Sequence, residues 1–244
     1  RLLPFTKEMP KEMMPVFSSM FTKKKVVLPL LQYIYEQLYS MGFRDYCFVV
    51  GREKRSIEDH FTPHETYLKE LSGDYKKFIT KFYQKLENSH LVWVNQNRPL
   101  GFGDAVRRAE RYVGNEDFIV HAGDVTILSK SKHPISRLIE TAKRNPDAKA
   151  ILLCKKIKDF KRYGVPTIEK VSNNLFTVRE VVEKPDKPKS DFGLSGFSTT
   201  PLTLNKLFDN LSTVGTPYLL KSLIFLQSNI AFASGFLFAV SINL

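Results

Sequence analysis

The chain has 244 residues, 43% hydrophobic and 25% charged, with a formal net charge of +12 at neutral pH. That length suits one large α/β domain, or a domain with a subdomain, and no apolar run reaches membrane-spanning length without a charge or turn signal. The positive balance admits a nucleic-acid binder or an enzyme of anionic substrates. The basic residues are scattered, and their tightest cluster, Lys23-Lys24-Lys25, has no interleaved aromatics to stack bases, which argues against the first.

The opening stretch, Arg1 to Pro15, holds Pro4, Pro10 and Pro15. Each proline fixes its own φ and pushes its predecessor out of helical geometry, so a stiff irregular loop is expected, carrying Arg1, Lys7 and Lys11. Fixed cations on such a loop can clamp a polyphosphate, Arg as a planar fork and Lys as a mobile point charge; solvated lysines are the alternative on residue type alone. From Val26 to Met41, Leu28, Leu31, Ile34, Tyr35 and Leu38 fall at three- and four-residue spacing and stop before Gly42, which predicts an amphipathic helix. Asp45 to Val50, closed by Gly51, predicts a buried strand. Helical spacing follows over Ile57 to Leu71 and Phe78 to Leu86. Pro63 breaks the helix that a metal-binding pair of His60 and His64 would need, so both are expected at the surface.

Leu91 to Val94 is the next expected strand. It runs into a loop with Gly101 and Gly103, which let the backbone approach a flat ligand, and a helix is expected from Ala105 to Tyr112. A strand over Phe118 to His121 ends at Ala122-Gly123-Asp124. An acidic residue at the C-terminal end of a parallel strand points into the crevice where open α/β sheets bind ligands, and a carboxylate suits Mg²⁺; a turn or cap aspartate is the alternative. A helix over Ile135 to Arg144 and a strand over Ala150 to Cys154 complete an alternation that predicts a mostly parallel sheet. Cys47 and Cys154 sit in apolar runs and are expected as inert core thiols in a reducing cytoplasm.

From Arg162 the segments GVPTIEKV, LFTVREVVEKP and DFGLSGFST predict short antiparallel strands. Alternation would send Glu183 and Lys184 to opposite faces unless Pro185 twists the strand end. Helices are expected over Leu204 to Leu211 and Tyr218 to Leu226, and strand-like structure over Ile230 to Leu244. The expected fold is therefore α/β: a Rossmann-like, mostly parallel sheet flanked by helices over 1–154, and a smaller antiparallel region over 155–244 in the same domain.

PFTKEMPKEMMP, RPLGFGDAV, RYGV and VVEKP occur in that order, and from Arg1 to about Gly196 the chain resembles the sugar-1-phosphate nucleotidyltransferases, most of all the bacterial-type UTP:glucose-1-phosphate uridylyltransferases. The resemblance implies nucleotidyl transfer from a nucleoside triphosphate, UTP favoured, to a sugar 1-phosphate, glucose 1-phosphate favoured. It implies Mg²⁺ as cofactor, a cytoplasmic setting, no nucleic-acid or membrane partner, and a homo-oligomer, dimers and tetramers being usual in the family. By position, Lys11 would lie at the triphosphate and Arg1 at the departing pyrophosphate. Gln96 would read the base edge, with the Gly101 backbone against the base, and Asp124 would bind the metal. Gly164 and Gly196 would line the sugar pocket, Glu183 would accept hydrogen bonds from sugar hydroxyls, and Lys184 would grip the sugar phosphate.

Asp104 stands where the family often has His. In the family a strand and a Gly-rich loop ending in Thr-Arg come before the position of Arg1, which gives the expectation that the native protein begins earlier. Gly235-Phe236-Leu237-Phe238-Ala239 has the spacing of the family's Gly-x-x-aromatic-Asp pattern, with Ala239 where a second metal-binding aspartate is expected. By the resemblance, the family's usual C-terminal helix is expected to be missing after it. A catalytically weak or silent paralogue that binds sugar nucleotide as a regulator or scaffold is the alternative that Ala239 supports.

Overall fold

The prolines keep the opening segment out of regular helix. A computed structural model describes residues 4–19, 25–98, 100, 102–126, 133–148, 150–172, 175–200, 223–227 and 237–241 of the chain. Pro10 and Met14 hold φ/ψ of −59/140 and −55/132, extended backbone on either side of a single 3-10 turn at Lys11–Met13. Met14 precedes Pro15, whose ring disfavours α backbone in its predecessor. Strand β1 (Pro15–Ser18) then pairs antiparallel with β2 (Val26–Pro29), Phe17 opposite Val27.

The helix expected from Val26 starts only at Leu30: α1 is Leu30–Ser40. Val26 and Val27 are β-branched and pair with β1, and Pro29 cannot donate inside a helix but serves at its entry. Leu31, Ile34, Tyr35 and Leu38 are fully buried, and the helix stops at Gly42, whose φ of 101 is strained for any residue with a Cβ.

Strand β3 (Asp45–Val50) has the expected bounds and leads to α2 (Arg55–His60), α3 (Glu65–Glu70) and α4 (Gly73–Glu87). His64 is exposed, and its Nδ1 accepts from the Tyr67 N–H at 3.1 Å as the cap of α3. His60 departs from the surface expectation. Its ring lies against Phe61 and Phe82, and Nε2 meets Gln32 Oε1 at 2.9 Å, because α2 packs on α1. Burial pulls its pKa down to about 4.

The alternation continues through β4 (His90–Asn95), α5 (Phe102–Arg108), α6 (Glu110–Val113), β5 (Phe118–Ala122), α7 (Pro134–Arg144) and β6 (Ala150–Lys156). Three long strands follow, β7 (Gly164–Ser172), β8 (Leu175–Glu183) and β9 (Phe192–Thr200), then β10 (Leu223–Gln227) and β11 (Leu237–Ser241). Where the chain is described, the helix expected over Tyr218 to Leu226 is instead strand β10, parallel to β6 from Leu223 opposite Ala150 to Gln227 opposite Cys154. Four apolar residues in a row, Leu223 to Leu226, have no periodicity that separates strand from buried helix. The helix expected over Leu204 to Leu211 and the lysines Lys23 and Lys24 lie outside the described residues.

Among the described residues the main sheet has nine strands in the order β4-β3-β11-β5-β9-β6-β10-β8-β7. β3 and β4 pair in parallel, β11 lies antiparallel between β3 and β5, and β9 lies antiparallel between β5 and β6. The strands β3, β4, β5 and β6 therefore all run one way, as the strand–helix alternation requires, with two strands from the later part of the chain set between them. Both faces are covered. Phe48 packs with α1, α4 and α7 residues such as Leu31, Phe82 and Leu138, while its neighbours Cys47 and Val49 pack with Ala105, Val106 and Val120. Two-sided burial explains the continuous apolar run of β3. Cys47 and Cys154 are free and buried, and burial pushes the Cys47 thiol up to about 12 and Cys154 well above its ordinary value. No helix among the described residues is long and apolar enough to cross a membrane.

Candidate active site

β5 ends at Ala122, and a turn closed by the Val125 N–H on the Ala122 carbonyl at 3.3 Å sets Asp124 at the strand's C-terminal end. β3, β4 and β6 run the same way and end at the same edge, which is where open α/β sheets hold their ligands. The proline-rich loop closes over this edge: Lys11 Nζ meets Asp124 Oδ2 at 3.1 Å. Asp124 is only 3% exposed, and its other oxygen, Oδ1, is buried with no hydrogen-bond partner among the described residues. Burial pushes the Asp124 carboxyl up to about 6 against the downward pull of Lys11, and the nearby Glu12 adds to the rise.

Glu12 is fully buried and pairs with Lys54 Nζ at 2.7 Å. Lys54 comes straight after Glu53, a non-glycine residue at φ 71, in the turn between β3 and α2. The pair therefore ties the proline loop to the end of β3. Sequence reasoning missed both residues. A Glu between Lys and Met in a polar loop reads as solvated, and only the flanking prolines hinted that the loop lies fixed against something.

Gln96 follows β4, its N–H extending the ladder to the Val50 carbonyl at 2.8 Å. Gln96 Nε2 donates to Asp104 Oδ2 at 2.8 Å, and Arg108 Nε lies 3.5 Å from Asp104 Oδ1. On the other side, Gly164 opens β7 opposite Glu183 at the end of β8. The strand alternation stops there, because Lys184 takes the left-handed φ of 47 and donates its N–H to the Tyr163 carbonyl at 3.0 Å. The strand end is thus turned at Lys184, the residue before Pro185, and the Lys184 side chain is exposed.

Tyr163 in turn sits against Gly193, where an added Cβ would lie 3.1 Å from Tyr163 Cβ and 2.7 Å from Ile157 Cδ1. Gly193 pairs with Lys155, so the hairpin end is docked at the C-terminal end of β6. Gly196 lies in a bulge of β9, between Leu194 opposite Cys154 and Ser198 opposite Leu152, and one step beyond the last β5 pair, His121 with Phe197. Bulges re-aim a strand beside a site, and this one flanks the strand end that leads to Asp124. His121 itself is buried, with Nδ1 2.7 Å from the Ala122 oxygen, and burial drives its pKa down to about 3.

The structure thus brings Lys11 and Asp124 into contact, sets Gln96 and Gly196 on the same sheet edge, and gathers Gly164, Glu183 and Lys184 at one hairpin end. Arg1, Gly101 and the side chain of Glu183 lie outside the described residues. Ala239 pairs with Val120 of β5 and Cys47 of β3, two positions inside the Leu237–Ala122 pair. It is therefore a mid-sheet position, whereas Asp124 lies past the end of β5.

The model of the nucleotidyl transferase family matches residues 1–228. The chain belongs to that family. It is 36% identical over 188 residues to a Methanocaldococcus jannaschii protein provisionally named UTP–glucose-1-phosphate uridylyltransferase, covering 76% of this chain and 62% of that relative. A Streptococcus pyogenes UTP–glucose-1-phosphate uridylyltransferase is 32% identical over 219 residues, 86% of this chain and 67% of the relative. The fold matches a UDP-glucose pyrophosphorylase of Acinetobacter baumannii with a TM-score of 0.74 at 22% identity, over 95% of this chain and 82% of that one. The family generally works with a divalent metal. The orphaned, buried Asp124 Oδ1 fits such a group, since hard cations take carboxylate oxygens.

Proposed function

We propose that this chain transfers a uridylyl group from UTP to glucose 1-phosphate, giving UDP-glucose and pyrophosphate. The observation that carries this reading is the 3.1 Å contact between Lys11, on its proline-stiffened loop, and the buried Asp124 at the C-terminal end of β5. The names of the relatives support UTP and glucose 1-phosphate as the substrates, and the two buried thiols suit a reducing, cytoplasmic compartment.

In this reaction an oxygen of the sugar phosphate attacks the α-phosphorus in line, a new P–O bond forms, and the bond to the leaving pyrophosphate breaks. The chain has no covalent chemistry to supply; it screens two anions from each other and aligns them. Lys11 holds the triphosphate at the strand edge, and Arg1 neutralises the departing pyrophosphate. Gln96 and the Gly101 backbone hold the base. Lys184 fixes the attacking phosphate, Glu183 accepts from sugar hydroxyls, and Gly164 and Gly196 leave room for the ring. Residues 1–154 thus serve the nucleotide and 155–244 the sugar phosphate. Mg²⁺ held by Asp124 would polarise the α-phosphate and template the two substrates.

Replacing Lys11 tests the assignment. Lys11→Ala should lower turnover about 100-fold or more, the usual worth of a charge placed at a transferring phosphoryl group. Pyrophosphate release within a few-fold of the parent chain would remove Lys11 from the mechanism.

A further inference from the structure

We propose that Lys11 keeps the divalent cation off Asp124 until a triphosphate draws its ammonium away, so that ammonium and metal exchange places on one carboxylate. The inference rests on the reading above in one respect, that Asp124 takes the cation. Lys11 Nζ lies 3.1 Å from Asp124 Oδ2, the two side chains being 17% and 2% exposed. Asp124 Oδ1 is buried without a hydrogen-bond partner among the described residues.

A carboxylate buried this deeply has to keep a cation beside it, because a buried charge stripped of its partner is strongly destabilising. Here the Lys11 ammonium is that cation. The proposed reaction asks for a different arrangement, with Lys11 at the triphosphate and the metal on Asp124. A hard cation at Oδ1 with the ammonium still at Oδ2 would set like charges side by side where little water reaches to screen them. Exchange removes the conflict. Asp124 is then compensated by the metal, and Lys11 by the triphosphate.

The surroundings let the ammonium move while the loop stays. The backbone is held at the next residue, where the fully buried Glu12 meets Lys54 Nζ at 2.7 Å. Lys11 itself is a point charge on a flexible four-carbon stem, which can swing Nζ without unseating the turn at Lys11–Met13. Lys11 has a further interaction as well, and the competition is for Asp124, which both cations need. Asp124 therefore accepts the metal alone poorly, and a nucleotide entering with its own cation, or ahead of it, opens the site.

A plain ion pair that persists beside the metal would show the same 3.1 Å contact, so the test reads metal binding and not turnover. Mg²⁺ alone, with no nucleotide, is titrated calorimetrically into the parent chain, Lys11→Met, Lys11→Gln, Lys11→Arg, and Lys11→Met combined with Asp124→Asn. An alkaline buffer keeps protons from competing for the carboxylate, and pyrophosphate release by the parent chain is measured in parallel. Lys11→Met and Lys11→Gln should bind Mg²⁺ about 10-fold or more tighter than the parent, since a unit charge a few Å away in a poorly screened site is worth more than a tenfold step. Lys11→Arg, still cationic, should stay within a few-fold of the parent, and Asp124→Asn should abolish the gain. No gain in either uncharged variant, whether or not the parent binds Mg²⁺, would overturn the exchange. An equal gain in Lys11→Arg would overturn it too, because packing rather than charge would then set the affinity. A gain that survives Asp124→Asn would overturn both the exchange and the assignment of the metal to Asp124. A parent chain that transfers nothing, with the gain present and lost in Asp124→Asn, would overturn the proposed reaction and uphold the exchange.

Discussion

Asp124, His60 and His121 feel the same force with opposite signs, because burial disfavours whichever form is charged: it raises the carboxyl and lowers the two imidazoles. For His60 the folded pKa of about 4 lies below the ordinary 6.5. Between those values the unfolded chain binds a proton that the folded chain does not, so stability rises with pH there and is lost as pH falls. His60→Gln should flatten that slope in urea unfolding between pH 6.5 and 4, by up to about 1.4 kcal/mol per pH unit. His121, pulled down to about 3, contributes a slope of the same sign, and Asp124, pushed up to about 6, opposes it between about 3.8 and 6, so the comparison is between the parent chain and the variant. An unchanged slope would mean that His60 is not held neutral. Asp124 could be picked out beforehand because it closes an apolar run. His60 could not, since Pro63 announces a broken helix but nothing local announces that Phe82 will pack on the ring.

At the level of elements, the proline loop presents Lys11 only because it is fixed at its next residue, where the buried Glu12 meets Lys54 at 2.7 Å. Removing the cation alone leaves a buried charge without compensation, which costs about 3–5 kcal/mol. The Lys54 side chain is 21% exposed, so the lower end, about 3 kcal/mol, is expected for Lys54→Met in urea unfolding. A loss under about 0.5 kcal/mol would show that the tie does not hold the loop. Most strands and helices could be placed from periodicity and glycine stops, as at β3 and at Gly42. The misses, β2 inside an expected helix and β10 inside another, are short runs whose strand partners, β1 and β6, lie elsewhere in the chain. Spacing within a run carries no information about a partner outside it.

The whole molecule shows the same limit at larger scale. The direction of β3 to β6 follows from alternation, but the insertion of β9 and β11 between them depends on pairings distant in sequence, from 36 residues between Lys156 and Phe192 to 76 between His121 and Phe197 and more for β11. That interleaving brings the bulge at Gly196 beside the strand end carrying Asp124, at one edge of one sheet. The register of β11 also moves Ala239 away from that edge, so its lack of a carboxylate does not by itself empty the site around Asp124. The measurement that decides most is pyrophosphate release by the protein with a divalent cation, over a grid of the common nucleoside triphosphates against glucose 1-phosphate and related sugar phosphates. Release with UTP and glucose 1-phosphate, well above every other pair, is the expected result. Silence across the grid, with UDP-glucose still bound, would contradict nucleotidyl transfer and leave a chain that only binds the sugar nucleotide.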